Sequence, residues 1–199
     1  NTSAFSAGMD LDDAMWRDDG ISDLERREMY YTGVRLCRAW EALPQVTIAA
    51  IDGFSVGAGV ALGLACDWRV IADDAFLYVP EVKIGINLQW GALPRLISLV
   101  GPAKAKRICL LCEKLSARDA LDWGLVDYVA EPAGAVAKAV TVACAVCERP
   151  AVTVRMVKEA VNATANALHH TSSFADADQS QLSGQFAAAR RARADFLES

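Results

Sequence analysis

The most informative stretch of the chain is residues 46–66, which read VTIAAIDGFSVGAGVALGLAC. Its first part, 46–51, is an apolar run typical of a buried strand. A glycine-rich turn, GFSVGAG (53–59), follows, and the apolar residues that continue to Cys66 predict a helix. A turn that opens directly into a helix leaves backbone N–H groups without intrahelical acceptors. Such groups can stabilise one developing negative charge.

A second glycine-containing turn and one carboxylate complete a chemical pattern. The turn FSAGMDL occupies residues 5–11, and Glu81 closes the segment VPE (79–81). Two sets of N–H donors and one base are the groups needed to remove a proton next to a carbonyl. The alternative explanation of 53–59 is tight packing between a strand and a helix, and that of Glu81 is a solvated carboxylate at a strand end.

Composition indicates a globular protein whose partner is not a nucleic acid. The 199 residues carry a formal net charge of −5 and are 53% hydrophobic, which suggests one domain, with or without a helical appendage, and no basic face. The longest apolar stretch, 56–66, is too short and too rich in glycine to span a membrane. The first residue is Asn1, so we expect that the natural N-terminus is missing, and a targeting sequence stays open.

The six cysteines are expected to be reduced thiols. Their neighbours are Leu, Ala, Ile and Val, not a loop-rich disulfide framework, which favours the cytoplasm, with an organelle matrix as the alternative. Two CxxC pairs, 109–112 and 144–147, have a spacing that can bind zinc, so a zinc-bound helical module is one possible function. Both pairs lie in apolar helical patterns, where positions three apart share a face. We therefore predict core-facing thiols without metal.

Alternating strands and helices, followed by helices alone, predict an α/β core with a C-terminal helical extension. The core is expected to span residues 1–132 and the helical region 133–199. Strands are predicted at 46–51, 68–72, 76–79 and 125–130. Helices are predicted at 24–43, 57–66, 91–100, 101–112, 117–123, 135–147, 151–167 and from there to 197.

Five motifs occur in an order and spacing that resemble one known family. They are FSAGMDL (5–11), DGFSVGAG (52–59), ACDWR (65–69), PEVKIG (80–85) and DWGLVD (122–127). On these motifs the chain resembles the crotonase superfamily, the enoyl-CoA hydratase/isomerase group, and the match covers nearly the whole chain. The resemblance implies a spiral of ββα units, with the N-terminal turns absent from this chain. It also implies a homotrimer or a dimer of trimers, with the C-terminal helices between subunits.

The same resemblance implies the residues of the site. An acyl-CoA thioester would be the substrate, with no separate cofactor and no metal. The backbone N–H groups of Met9 and Ala58 would form an oxyanion hole, and Glu81 would be the catalytic carboxylate. Met15 and Trp16, in the acidic segment 12–23, would cap the acyl pocket or pack on the surface. The residues expected along the substrate and CoA are Ser6, Ala7, Gly8, Asp10, Leu11, Gly57, Gly59, Pro80, Ile84, Leu88 and Trp90.

Two departures from the hydratase pattern favour a different reaction. Hydratases of this family resemble one another in carrying two glutamates, but the first of these positions is Ala61 here, which cannot transfer a proton. The Pro-Gly-Ala-Gly-Gly turn of the hydratases is replaced by LQWGA (88–92), which brings in the bulky Gln89 and Trp90. One glutamate beside an oxyanion hole is similar to the Δ3,Δ2-enoyl-CoA isomerases, which move a double bond into conjugation with the thioester.

Glu81 is expected to have a pKa raised toward neutrality by its apolar neighbours Val79, Val82 and Ile84.

Two functions other than the isomerase stay open. One is a hydratase-type lyase or another enolate chemistry, with an acid from a position that the motifs do not identify. The other is a crotonase-like scaffold that binds acyl-CoA or a protein without turnover.

Overall fold

The computed structural model describes residues 4–11 and 20–198. Within these ranges the strands are β1 (Ile48–Ile51), β2 (Phe54–Val56), β3 (Trp68–Ala72), β4 (Phe76–Tyr78), β5 (Leu115–Ser116) and β6 (Tyr128–Ala130). The α-helices are α1 (Asp23–Glu41), α2 (Ala58–Leu64), α3 (Ala92–Lys106), α4 (Ala117–Asp122), α5 (Ala135–Cys147), α6 (Ala151–Ala165), α7 (His169–Ser173), α8 (Asp176–Gly184) and α9 (Ala187–Leu197). A 3-10 helix, Glu81–Ile84, and a π-helical turn, Arg107–Leu111, complete the secondary structure described.

The first four strands alternate between two sheets. One sheet has the order β1-β3-β6 and is parallel. The other has the order β2-β4-β5, in which β2 and β4 are parallel and β5 is antiparallel to β4. Each unit of two strands and a helix, β1-β2-α2 and then β3-β4-α3, therefore adds one strand to each sheet. This winding confirms the α/β fold and the ββα spiral expected from the sequence.

The main core lies between the sheets and helices α2 and α3. Its fully buried side chains include Ile51 of β1, Ile71 of β3 and Leu96 of α3, together with Leu125 ahead of β6. Burying a side chain of this size contributes roughly 1.5–3 kcal/mol. These residues come from separate turns of the spiral. Their packing therefore holds α2 in a fixed position relative to Glu81 and the rest of the segment that follows β4.

Arg69, on β3, holds neighbouring backbone segments together. Its side chain is buried, and its Nε donates to the carbonyl oxygen of Leu125 at 2.8 Å and its Nη1 to that of Cys66 at 3.0 Å. Nη2 donates to Oδ2 of Asp127 at 3.0 Å, and the same oxygen accepts the backbone N–H of Arg69 at 2.8 Å. A buried guanidinium needs such partners because an unpaired charge in the interior is costly.

The C-terminal helices return to the core. Helix α5 has the predicted bounds and packs on the parallel sheet, with Ala135 and Ala139 buried. Helix α8 packs on α1, where Arg27 forms an ion pair with Asp178 at 2.8 Å. Helix α9 packs against the 3-10 helix that begins at Glu81, so the end of the chain lies beside the predicted catalytic carboxylate. No helix within the described ranges is long and apolar enough to cross a membrane.

The cysteine predictions are partly wrong. Cys109 and Cys112 are buried as predicted, but Cys144 and Cys147 are exposed. Spacing in a helix shows which residues share a face, but not which face is covered, and α5 uses a different face to contact the sheet. Among residues 4–11 and 20–198, no group of three or more His, Cys, Asp and Glu side chains is placed to hold a metal ion.

Candidate active site

Helix α2 begins at a glycine turn, and the backbone N–H groups of its first turn, that of Ala58 among them, have no acceptor among the described residues. Gly57 is the N-cap, with φ 52° and ψ −111°, and its N–H donates to the carbonyl oxygen of Tyr78 at 2.9 Å. The carbonyl oxygen of Gly57 accepts the N–H of Ala61 at 3.0 Å. The N–H of Ala58, between them, donates to no other described residue, as expected in the first turn of a helix. It is therefore available to an oxygen atom outside the protein.

The first loop runs alongside β2 and reaches the same place. The N–H of Phe5 donates to the carbonyl oxygen of Phe54 at 2.9 Å, and the N–H of Val56 donates to that of Ser6 at 3.0 Å. Gly8, with φ 96°, lies so close that a β-carbon there would be 3.1 Å from the carbonyl oxygen of Val56 and 3.9 Å from the nitrogen of Ala58. This approach brings Met9 next to the start of α2.

The backbone N–H of Met9 forms no hydrogen bond within the part of the chain that the structure describes. Met9 and Ala58 both line the cavity that Glu81 lines. The two predicted oxyanion donors and the predicted base are therefore neighbours in space, although they come from separate parts of the chain.

Glu81 is a buried carboxylate at the start of the 3-10 helix, directly after Pro80. Its Oε2 atom has no hydrogen-bond partner among the described residues. Burial disfavours the ionised form and raises the pKa of Glu81 to about 7. Of the three apolar neighbours expected to raise this pKa, Val79 and Ile84 are buried, whereas Val82 is 43% exposed. A carboxylate with a pKa near neutrality can both accept and return a proton under physiological conditions.

The cavity beside Glu81 has a volume of about 150 Å³. Of the predicted site residues, those that line it are Ala7, Gly8, Met9, Leu11, Gly57, Ala58, Pro80, Glu81, Ile84, Leu88 and Trp90. Glu81 is the one carboxylate among the lining residues that the structure describes. Met15 and Trp16, the candidate caps of the acyl pocket, lie outside the described residues.

Three predicted substrate contacts do not line the cavity: Ser6, Asp10 and Gly59. The hydroxyl of Ser6 instead accepts the N–H of Gly8 at 3.2 Å, which supports the first loop. A β-carbon on Gly59 would lie 2.5 Å from the β-carbon of Ser6 and 2.9 Å from Oγ of Ser55, so this glycine permits close packing of α2 against the first loop and β2. Asp10 is exposed.

Sequence reasoning did not assign a substrate contact to five residues that line the cavity. These are Val56, Ala61, Ile86, Gln89 and Phe196. Ala61 was noted in the sequence because it stands in place of a hydratase glutamate, and Gln89 because it lies in the stretch that replaces the glycine-rich hydratase turn. The structure places both at the cavity wall. Phe196 belongs to α9, and no local motif at the end of the chain indicates that it returns to the site.

A larger cavity, of about 900 Å³, lies elsewhere, among α3, α5, α6 and residues 64–69. None of the predicted catalytic or oxyanion residues lines it, so it is separate from the site around Glu81.

The fold and the smaller cavity define an α/β protein of the ββα spiral class in which a buried carboxylate lines the same cavity as Met9 and Ala58, whose backbone N–H groups have no acceptor among the described residues. The chain belongs to the enoyl-CoA hydratase/isomerase family, whose sequence profile matches residues 1–199.

Two curated relatives and one solved structure illustrate the similarity. The crotonyl-CoA hydratase of Syntrophomonas wolfei is 33% identical over 159 residues, which cover 80% of this chain and 60% of that protein. An enoyl-CoA isomerase/hydratase of Mycosarcoma maydis is 36% identical over 131 residues, which cover 65% of this chain and 46% of that protein. The crystal structure of an enoyl-CoA hydratase from Mycobacterium avium subsp. paratuberculosis K-10 has a TM-score of 0.81 at 29% identity, over 86% of this chain and 70% of that one. The chain spans about three fifths of the length of the first curated relatives.

Proposed function

We propose that this protein is an acyl-CoA isomerase that moves the double bond of a 3-enoyl-CoA to the 2-position, with Glu81 as its proton-transfer group. The observation that carries the proposal is that Glu81 is the one carboxylate among the described residues lining the cavity, with Ala61 in place of a second. Met9 and Ala58, whose N–H groups have no acceptor among the described residues, line the same cavity. An isomerase takes a proton from one carbon and returns it to another. A single carboxylate is sufficient for both transfers.

The proposed reaction begins with the ionised carboxylate. Glu81 removes a proton from C2, and the electron pair of the broken C–H bond spreads into the thioester as a dienolate. Its negative oxygen accepts hydrogen bonds from the N–H groups of Met9 and Ala58. In a serine protease, the loss of one oxyanion-hole donor costs about 2.7–4 kcal/mol of transition-state stabilisation, which sets the scale for each of these hydrogen bonds. The carboxylic acid then gives the proton to C4, the double bond forms between C2 and C3, and Glu81 is again ionised.

The surroundings of Glu81 support this cycle. Because its pKa is about 7, a substantial fraction is ionised at neutral pH, and its conjugate acid is strong enough to return the proton. Ile84, Leu88 and Trp90 make the walls near it apolar, which strengthens the hydrogen bonds to the dienolate oxygen. The CoA thioester is the substrate, and the proposed steps use no further cofactor and no metal.

A homotrimer, or a dimer of trimers, is the proposed assembly. Helix α6 supports it because none of its residues is buried in the single chain. Val152, Met156, Val157 and Val161 are each more than half exposed. Apolar side chains that recur along one helix in this way are typical of a surface covered by another subunit.

Hydration of a 2-enoyl-CoA is the second candidate. The crotonyl-CoA hydratase of Syntrophomonas wolfei is named for that reaction. Gln89 also lines the cavity, is buried, and has an Oε1 atom without a partner among the described residues. An amide oxygen there can accept a hydrogen bond from a water molecule, but it cannot take its proton, so general-base assistance of roughly 10²–10⁴-fold would be missing.

The experiment that tests the proposal compares two substrates of equal chain length. Purified protein is incubated with a 3-enoyl-CoA and with the corresponding 2-enoyl-CoA, and the isomer and the hydrated product are measured separately. We expect the isomerisation rate to exceed the hydration rate by roughly 10²-fold or more. A ratio near or below one would favour the hydratase, and binding of CoA thioesters without either reaction would favour the non-catalytic scaffold.

A further inference from the structure

Trp90 lines the cavity in an unusual backbone conformation. It has φ 66°, and the next residue, Gly91, also has φ 66°. Glycine adopts this left-handed region readily, but a bulky side chain there is strained. Such strain persists only where the surrounding contacts impose it, and the contacts around Trp90 are specific.

Polar groups from separate elements hold the strained turn. Nη1 of Arg95 donates to the carbonyl oxygens of Trp90 at 3.1 Å and Gly91 at 2.9 Å. The N–H of Gly91 donates to Oδ2 of Asp176, on α8, at 2.7 Å. Arg95 is itself fixed by Glu41, whose carboxylate accepts its Nε at 2.9 Å. Because Arg95 and Asp176 are both buried, these contacts place the indole firmly.

The indole occupies a notch on α1. Gly33 is buried in the middle of that helix, and a β-carbon there would overlap the ring of Trp90. Glycine is among the poorest helix formers, so its place inside α1 needs a packing reason, and contact with the indole supplies one. Trp90 packs beside Tyr30 and Val34 of the same helix. The indole therefore stands between the cavity and α1.

We propose that Trp90 is the wall that limits the length of the acyl group, so that the protein accepts short-chain acyl-CoA thioesters. This inference rests on the proposed function, because it takes the cavity beside Glu81 as the acyl site. The cavity of about 150 Å³ is smaller than the usual range of roughly 300–1,000 Å³ for ligand pockets. An enclosed apolar cavity of about that volume holds benzene, so we expect the site to suit an acyl group of no more than about six carbons.

The test measures binding of saturated thioesters, so it does not require turnover. Dissociation constants of butyryl-CoA, hexanoyl-CoA and decanoyl-CoA are determined by calorimetry for wild type and Trp90→Gly. Glycine suits the positive φ and removes the wall. We expect wild type to bind butyryl-CoA more tightly than decanoyl-CoA. In Trp90→Gly, the ratio of the two dissociation constants should shift in favour of decanoyl-CoA by roughly tenfold or more. Trp90→Leu, which retains apolar bulk, should give an intermediate shift.

Trp40→Ala is the matched control for loss of an indole. Trp40 is on α1 as well, but its Nε1 donates to Sγ of Cys66 and it does not line this cavity. The Trp40→Ala variant should therefore leave the ratio of the dissociation constants of butyryl-CoA and decanoyl-CoA unchanged. An equal ratio in wild type and Trp90→Gly, or wild type that binds decanoyl-CoA as tightly as butyryl-CoA, would overturn the inference.

A second pair of variants tests the notch. Gly33→Ala should push the indole toward the cavity and weaken binding of butyryl-CoA by roughly tenfold, whereas the same change in a Trp90→Gly background should have little effect. Gly63→Ala is the control, because its β-carbon would meet no atom closer than 4.0 Å. Equal effects of Gly33→Ala in both backgrounds would contradict the role of Trp90.

If wild type bound none of the thioesters, the proposed function would fail and this inference with it. Thioester binding without a chain-length effect would refute the role of Trp90 alone.

Discussion

The Oε1 atom of Glu81 lies 2.7 Å from the position that a β-carbon on Gly57 would take. Gly57 also has a positive φ that residues with side chains rarely adopt. Sterics and backbone conformation therefore both require glycine where the carboxylate meets the start of α2. The arrangement of base and backbone donor depends on this contact.

Gly57→Ala should reduce kcat/KM by about 100-fold, because a displacement of the reacting groups by about 1 Å has an effect of that size. The methyl group would displace the carboxylate and distort the turn that presents the N–H of Ala58. Steady-state kinetics with a 3-enoyl-CoA measures the loss. Gly63→Ala, in the same helix but with space for a methyl group, should remain active. Similar activity of the two variants would show that the contact with Glu81 has no catalytic importance.

Glu81→Gln should abolish isomerisation and leave acyl-CoA binding nearly intact. The amide has the shape of the carboxylate but cannot exchange the proton, and loss of such a group typically reduces the rate by roughly 10²–10⁴-fold. Turnover is measured with a 3-enoyl-CoA and binding with a saturated thioester. Glu113→Gln is a suitable control, since Glu113 is exposed and forms an ion pair with Arg107 on the surface. Turnover in Glu81→Gln comparable with that of wild type would mean that another group transfers the proton.

The raised pKa of Glu81 should make the contribution of this side chain to the free energy of unfolding smaller at pH 8 than at pH 4. Below pH 4.5 the side chain is protonated in both the folded and the unfolded state. Between pH 4.5 and 7 the unfolded chain loses the proton while the folded protein retains it, so the free energy of unfolding falls as pH rises. Above pH 7 the loss is complete and amounts to about 3 kcal/mol.

Glu81→Gln lacks this titration and serves as the comparison. Denaturant unfolding at several pH values should show similar stability of the two proteins near pH 4 and a more stable variant near pH 8. A difference between the two that does not change with pH would show that burial does not raise the pKa of Glu81.

Asp127→Ala should destabilise the fold by about 2–3 kcal/mol, since it leaves the buried guanidinium of Arg69 with one fewer partner. The estimate is below the value for a fully buried ion pair because Asp127 is 31% exposed. Thermal or denaturant unfolding measures the change. Asp122→Ala, which removes an exposed carboxylate 4.0 Å from Arg118, should have almost no effect. Equal stabilities of the two variants would contradict the structural role of the Arg69 network.

Much of the fold follows from local pattern. Helix α5 has the bounds 135–147 that its apolar periodicity predicts, and β3 occupies 68–72 as predicted. Strands β2 and β5 are absent from the prediction for a physical reason. β5 contains two residues, too few to show alternation, and β2 lies within the glycine-rich stretch 53–59, which is typical of a turn. Pairing with β4 defines both strands.

Some residues of the candidate site could be predicted from the sequence and others could not. Residues near glycine turns, such as Ala58 and Glu81, could be found because the turn itself indicates the chemistry. Phe196 could not, because its contact with the cavity depends on how α9 packs against the 3-10 helix. The contact between Gly33 and Trp90 could not be predicted either, since a glycine inside a helical pattern does not indicate which residue packs against it.

Ala61→Glu should change the ratio of the two candidate reactions. Ala61 is 1% exposed, lies one turn into α2 and lines the cavity, so a glutamate there would add a second carboxylate to the site of Glu81. A second carboxylate can activate water, and we expect hydration of a 2-enoyl-CoA to rise by roughly 10²-fold. Two carboxylates that close together also disfavour double ionisation, so isomerisation should fall at neutral pH.

Ala61→Gln separates proton transfer from a change of shape, because the amide fills the same space without accepting a proton. Both variants are first compared with wild type by thermal unfolding, so that the rates refer to folded protein. If Ala61→Gln increased hydration as much as Ala61→Glu, the gain would come from cavity shape and not from general-base assistance. If the folded Ala61→Glu protein gained no hydration, the identity of residue 61 would not be what separates isomerisation from hydration. The amide oxygen of Gln89, which has no partner among the described residues, would become the next group to test.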